Sequence, residues 1–430
     1  MALRNLMVAV VFFSTITPVS AQAFKAATGA NQYWISATGS DSNNGSRSHP
    51  WATLQKASSS LKLGSGGAVI HVGSGTYTIS QTVTTTAHGR PTQRITYVSD
   101  TTWGAKISCT MQSANCWIQL GDYVDVIGFD LTAPGASIGL LVGAFPPSTM
   151  GYAQFNHVMS NRFHDIGLTC AVNGNAAVEE GYATHDLLFQ GNVINNTGQK
   201  GGCPNGGTSA HGLYLAGYHS SVFNNLISNA AGAGISLYHD PCQSVIANNT
   251  VFHNYTQGIQ VAGNPDNKWS GCADDDYNTV NNNLVVRNGY GCNVFTYNRH
   301  GADGIQFHNA DGAHNTANNN YLAGNFNESC QNINNSVVTM GIPPSQSKNI
   351  GTATYTNLFV NYQDDGSGNY HLAAGSPAIG AGTNDSCASS PGITPCEPAT
   401  DFEGNPSSSP YDVGAYTKSA NSGKQSASQK

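Results

Sequence analysis

This sequence predicts a right-handed parallel β-helix: an all-β solenoid with a short capping helix at its N-terminal end. Two observations carry the prediction. An Asn corner followed by a short apolar strand recurs, as in Asn224-Asn225-Leu-Ile-Ser, Asn248-Asn249-Thr-Val-Phe and Asn282-Asn283-Leu-Val-Val. A second, Gly-led strand follows each of these in phase: Gly234-Ile-Ser-Leu, Gly258-Ile-Gln-Val and Gly304-Ile-Gln-Phe. The Asn corner also stands at Asn161, Asn192 and Asn320, and intervals of 24 to 37 residues fit one coil with loop insertions of varying length.

Strands this short cannot bury an apolar face alone, so each needs the coil before it and the coil after it. The pairs Leu226/Ile227, Thr250/Val251 and Leu284/Val285 recur at one position, as aliphatic side chains stacked inside a solenoid would. Asn tolerates the left-handed backbone of a tight corner, and its amide can bond both its own turn and the next Asn of the column. A disordered chain has no reason to keep apolar residues in phase with Asn. Parallel crossovers are right-handed by default.

In chain order, residues 1–21 read as a secretory signal: Arg4, the apolar run Leu6–Phe13, then Val19-Ser20-Ala21 as the cleavage site. No later run is long and apolar enough for a membrane span. Residues 22–416 read as one solenoid domain acting as a monomer, and 417–430 as a flexible tail. The 10 cysteines lie beyond the signal and suit disulfides in an oxidising compartment; Cys109–Cys116 and Cys387–Cys396 are plausible pairs. Charged residues make up only 10% of the chain and the net charge is −7, so no basic patch supports a nucleic-acid partner.

Residues 33–77 read as strand, Gly/Asn/Ser turn, a short helix from about Thr53, and a second strand Ile70-His-Val. This run resembles the opening segment of secreted proteins of the pectate-lyase-like superfamily, where the helix covers the open end of the first coil. Tyr370-His-Leu-Ala-Ala-Gly-Ser-Pro, Asp401-Phe-Glu-Gly-Asn and Asp412-Val-Gly-Ala-Tyr416 are similar to the closing segment of such proteins. The resemblance implies the β-helix and a polysaccharide partner, and one fold of this kind hosts several chemistries.

If Leu213/Leu215, Ile235/Leu237, Ile259/Val261 and Ile305/Phe307 point inward, alternation puts Tyr214, Ser236, Gln260 and Gln306 in an outward column. Ala216, Tyr238, Ala262 and His308 then stand beside it. Coils repeat every ~4.8 Å, a fair match to the residues of an extended sugar chain, so Tyr214, Tyr238, Gln260, Gln306 and His308 are expected substrate-binding residues. The loops beside these strands concentrate His211, His239, Asp240, Lys268, Asp274, Asp275, Asp276, Arg299 and Asp303. His211, before Gly212, also suits a plain strand-corner cap, and Asp274–Asp276 a solvated turn.

The resemblance implies β-elimination on a uronic-acid glycan. That reaction needs a group that neutralises the sugar carboxylate, a base for the C5 proton and a donor for the leaving oxygen. By residue type, Arg299 or a calcium ion held by Asp274, Asp275 and Asp276 neutralises. Lys268 or Lys200 is the base, and His211, His239 or Tyr238 assists. A C5-epimerase would share the first step. The rival is glycoside hydrolysis with Asp303 and Asp240 as its two carboxyl groups, and a third reading is a secreted glycan-binding β-helix without catalysis. The lyase is placed narrowly ahead of the hydrolase.

Overall fold

The computed structural model describes residues 26–144, 153–169, 176–200, 210–239, 241–264, 272–292, 303–327, 329–332, 337–384 and 397–418. The signal read at 1–21 and the end of the tail lie outside the described residues. So do Asp240, Lys268, Arg299 and the pair Cys387–Cys396.

Each coil contributes one strand to each of three parallel sheets, which hold eleven, nine and ten strands among the described residues. One coil runs Ser221–Phe223, Leu226–Ala230, Ile235–Tyr238, and the next stacks on it with Ser221 opposite Val245, Leu226 opposite Thr250 and Ile235 opposite Ile259. Val222, Ile227, Ile235 and Leu237 point into the solenoid, and Ile246, Val251, Ile259 and Val261 repeat them one coil on. The expected inward set of the Gly-led strands is therefore borne out. At the other corner position the expectation is half right. Ile227, Val251 and Val285 stack inside, whereas Leu226, Thr250 and Leu284 face outward, because side chains alternate along a strand.

The chain beyond the last coil buries that outward face. Phe359–Asn361 and Asn369–Leu372 form an antiparallel pair, and Phe359, Tyr370, Phe402, Val413 and Tyr416 pack on Leu226, Phe252 and Leu284. The closing segment thus lies along the ten-stranded sheet instead of continuing the spiral.

The Asn pairs divide their labour. Asn224, Asn248, Asn282 and Asn319 take the left-handed backbone, with φ of 55°, 55°, 53° and 53°. The second Asn of each pair turns inward to form a ladder. From Asn161 through Asn192, Asn225, Asn249, Asn283 and Asn320 to Asn349, each amide donates to the next side-chain carbonyl at 2.9–3.2 Å. Asn254, Asn288 and Asn325 form a second ladder at the next corner. There Gly234 and Gly258 are required by space: a Cβ on Gly258 would meet the Gly304 carbonyl oxygen at 2.6 Å and Val285 Cγ1 at 2.6 Å.

The helix Leu54–Ser60 closes the N-terminal end as expected. Thr53 caps it, its hydroxyl accepting the Lys56 N–H at 3.1 Å, while Leu54 and Ala57 join the core. Three disulfides fall among the described residues. Cys109–Cys116, an expected pair, joins neighbouring strands. Cys242–Cys272 and Cys292–Cys330 tie segments that flank the nine-stranded sheet.

Candidate functional site

The outer face of the nine-stranded sheet carries the column of residues expected to meet a sugar chain. Strands Ala176–Glu180, His211–Leu215, Ile235–Tyr238, Ile259–Ala262 and Ile305–Ala310 lie side by side in it. Their register aligns Glu179, Tyr214, Ser236, Gln260 and Gln306 in one column, with Tyr238, Ala262 and His308 beside it. The expected column therefore exists and has a fifth member, Glu179.

It is not an open ridge. Tyr214, Ser236 and Gln306 are buried, while Gln260, Tyr238 and His308 are half-buried. Much of the column is spent on itself. The Ser236 hydroxyl donates to Gln260 Oε1 at 3.2 Å, and Gln257 Nε2 donates to Gln306 Oε1 at 2.8 Å. Gln306 Nε2 in turn donates to the buried carboxylate of Asp303 at 3.0 Å. Asp303 thus stands at the start of its strand holding Gln306.

Four coils converge at the far end of these strands. The His239 imidazole packs edge-on against Tyr182, ring centroids 5.1 Å apart, and lies 4.2 Å from the ring of Tyr238. Asn264 Nδ2 lies 3.2 Å from the Tyr238 hydroxyl and 3.3 Å from His239 Nδ1. The hydroxyls of Tyr182 and Tyr214 share a hydrogen bond. His239 holds a φ of 72°, a left-handed backbone that side chains other than Gly, Asn and Asp adopt at a cost and that clusters at functional positions. Burial raises the Tyr182 phenol to about 12 and the Tyr214 phenol well above its ordinary value, so both are neutral donors near neutral pH.

Glu179 completes the group. It is 2% exposed, and its Oε2 is buried without a hydrogen-bond partner. Burial raises its carboxyl well above the usual range. Glu180, next along the strand, points inward; burial lifts its carboxyl to about 8 although the Ser220 hydroxyl donates to Oε1 at 2.7 Å.

The other expected residues go to different places. His211 stacks on Tyr214 and accepts the Ala233 N–H at Nδ1, 3.0 Å away, which is the strand-corner cap. Burial pulls its imidazole down to about 4. Lys200 lies at the corner next to the ten-stranded sheet, its ammonium 3.3 Å from Asn229 Oδ1, and burial lowers its pKa to about 8.

Asp274 is exposed, but Asp275 is buried and accepts the N–H groups of Asp311 and Gly312 at 2.9 and 3.1 Å. Asp276 accepts the N–H and the Nδ1 of His314 at 2.6 and 2.7 Å. Asp275 Oδ1 and both oxygens of Asp276 are thus held in a corner, while Asp275 Oδ2 is buried without a hydrogen-bond partner; no group of three or more His, Cys, Asp or Glu among the described residues is placed to hold a metal ion. No chemistry is derived through a calcium ion.

Glu179 and Tyr182 were not legible as site residues. Their coil carries Ala177 where later coils carry Gly, so it escapes the Gly-led pattern. Two adjacent glutamates in a chain this poor in charge were the available signal.

No family model matches the sequence, and no curated protein does. Among solved structures, pectate lyase Pel9A is similar with a TM-score of 0.52 at 16% identity, covering 91% of this chain and 97% of that one. An alginate lyase from Paenibacillus sp. str. FPU-7 gives 0.45 at 18% identity, covering 70% and 92%. A rhamnogalacturonan lyase gives 0.44 at 15% identity, covering 78% and 91%. At such identities the first likeness establishes the parallel β-helix and leaves the chemistry to the residues.

Proposed function

We propose that this parallel β-helix is an exported polysaccharide lyase that cleaves a uronic-acid-containing glycan by β-elimination on the outer face of its nine-stranded sheet. The observation that carries the reading is the cluster of Tyr182, Tyr214, Tyr238, His239 and Asn264, drawn from four successive coils. It offers the two proton-transfer partners that elimination needs, a basic imidazole and neutral phenols. In the proposed reaction His239 takes the C5 proton, the C5–H electrons form the C4=C5 double bond, and the C4–O4 bond breaks. A tyrosine hydroxyl returns a proton to O4. The amide of Gln260 meets the sugar carboxylate, a role open to a neutral donor in a water-poor site. The three disulfides fit an oxidising compartment and so support export.

Hydrolysis has weaker support. A glycosidase needs two carboxyl groups about 5–9.5 Å apart. Glu179 is one buried carboxyl, its pKa raised by burial, but the strand that bears Gln306 and follows Asp303 is four strands away in the sheet, about 19 Å at the usual spacing.

The test is incubation with a panel of pectic, alginate and neutral glycans, with and without a calcium chelator. Elimination leaves an unsaturated uronide that absorbs in the ultraviolet, and His239→Ala abolishes it. New reducing ends without that absorbance would establish a hydrolase instead, and binding without turnover a glycan-binding protein. Loss of activity on chelation would return the acidic corner or the undescribed residues to the mechanism.

A further inference from the structure

Gln260 and Gln306 stand opposite each other in the column, yet they are held differently. Gln306 is fully buried, and both ends of its amide are taken: Oε1 accepts Gln257 Nε2 at 2.8 Å, and Nε2 donates to Asp303 Oδ2 at 3.0 Å. Gln260 is half-buried. Its Oε1 accepts the hydroxyl of Ser236 at 3.2 Å, while its Nε2 joins no hydrogen bond among the described residues. Ser236 pairs with Gln260 in register from the preceding coil and is 1% exposed. Polar groups inside a fold normally find partners. Here a buried hydroxyl holds one end of an amide and leaves its donor end over, on the outer face of the sheet.

Resting on the lyase reading above, we propose that Ser236 is a positioning residue, whose hydroxyl anchors the Gln260 amide so that its NH2 group is presented to the carboxylate of an acidic sugar. An unanchored glutamine has several side-chain torsions to fix when a ligand binds, and fixing them weakens the contact it makes. The bond to Ser236 fixes them beforehand. Which end faces the sugar matters as much. Held as it is, Gln260 offers N–H donors to a group that only accepts; turned over, it would set a carbonyl oxygen against a carboxylate. A serine hydroxyl can donate or accept, so it anchors the amide either way, and a negative ligand favours the arrangement seen here. The ligand class that follows is a sugar with an anionic acceptor. A neutral sugar, whose hydroxyls suit both ends of the amide, gains nothing from the arrangement.

The test uses the full chain with isotope-labelled glutamine and compares the wild type with Ser236→Ala, Gln260→Met and the double variant, each first checked for native thermal unfolding. The magnetic resonance signals of the Gln260 amide are assigned by their loss in Gln260→Met. In Ser236→Ala those signals should shift. In the wild type they should shift on titration with an oligogalacturonate or an oligomannuronate and stay in place with a neutral cello-oligosaccharide. For the glycan that is cleaved, Ser236→Ala should lower kcat/KM about tenfold. In the Gln260→Met background the same substitution should change it less than about twofold, because Ser236 acts through an amide that is no longer there.

Amide signals indifferent to Ser236→Ala, or to both uronate oligosaccharides, overturn the proposal. So does an equal loss from Ser236→Ala in both backgrounds, which is what a serine with only a structural role would give. If no glycan is cleaved, the lyase reading fails, while the amide signals still decide whether Ser236 holds Gln260 for an acidic sugar.

Discussion

The side-chain amide of Asn249 donates to the side-chain carbonyl of Asn283 at 3.0 Å, one coil on and 34 residues later. The same amide also donates to the Val222 carbonyl at 2.9 Å, and Asn249 Oδ1 accepts both the N–H and the side-chain amide of Asn225 at 2.9 Å. Asn249 is fully buried. The ladder therefore satisfies corner groups that water cannot reach.

Asn249→Ala strands several of these donors and acceptors at once. It is expected to cost about 3 kcal/mol or more, since each buried orphan costs about 1–3 kcal/mol. Equilibrium urea unfolding checks this, and a loss below about 1 kcal/mol would mean that the column is decorative.

Asn282 joins the solenoid to the closing segment. Its amide donates to the Thr383 carbonyl at 2.7 Å, and its Oδ1 accepts the Thr383 N–H at 3.1 Å. Asn224 and Asn248 reach the carbonyls of Thr400 and Asp412 in the same way. Asn282→Gly keeps the φ of 53° but removes both bonds. Hydrogen exchange should quicken across residues 355–384 and stay slow in the coils. Uniform quickening would show that the segment and the solenoid unfold as one unit.

Glu180 makes stability depend on pH. Its folded carboxyl, at about 8, lies above the unfolded value of 4.5, so below pH 4.5 both states hold the proton and there is no penalty. Between 4.5 and 8 the unfolded chain releases the proton and the folded chain does not. Stability therefore falls as pH rises through that window, by up to roughly 1.4 kcal/mol per unit. Glu180→Gln should match the wild type near pH 4 and melt higher at pH 8. An unchanged slope between the two would show that Glu180 is already ionised in the fold.

In the cluster, His239→Ala should abolish turnover and Tyr182→Phe should lower kcat by about a hundredfold or more while KM moves little, because a proton-transfer partner acts in the transition state. Steady-state kinetics on the glycan found by the panel separates the two parameters. A change confined to KM in Tyr182→Phe would make the tyrosine a binding group only.

The coil repeat was fully legible in the sequence. Ile235, Leu237, Ile259 and Val261 point where their alternation said they would, and the Asn columns bond as their spacing implied. The outward face was legible as a register but not as a surface. Tyr214, Ser236, Gln260 and Gln306 align as expected, yet alternation says only which side of a sheet a residue takes, not what lies over it. Leu284 reads inward by composition, but more than seventy residues downstream Phe359, Tyr370 and Val413 supply the apolar cover that lets it face out.

What the sequence by itself determined was the winding, because each strand answers to the identical position one coil away and that period is written in the chain. What only the tertiary structure decided was the site. Tyr182, Tyr214, Tyr238, His239 and Asn264 come from coils spread over more than eighty residues and share no local motif. They meet because stacking places successive coils about 4.8 Å apart, a distance set by backbone pairing and not by the side chains it brings together.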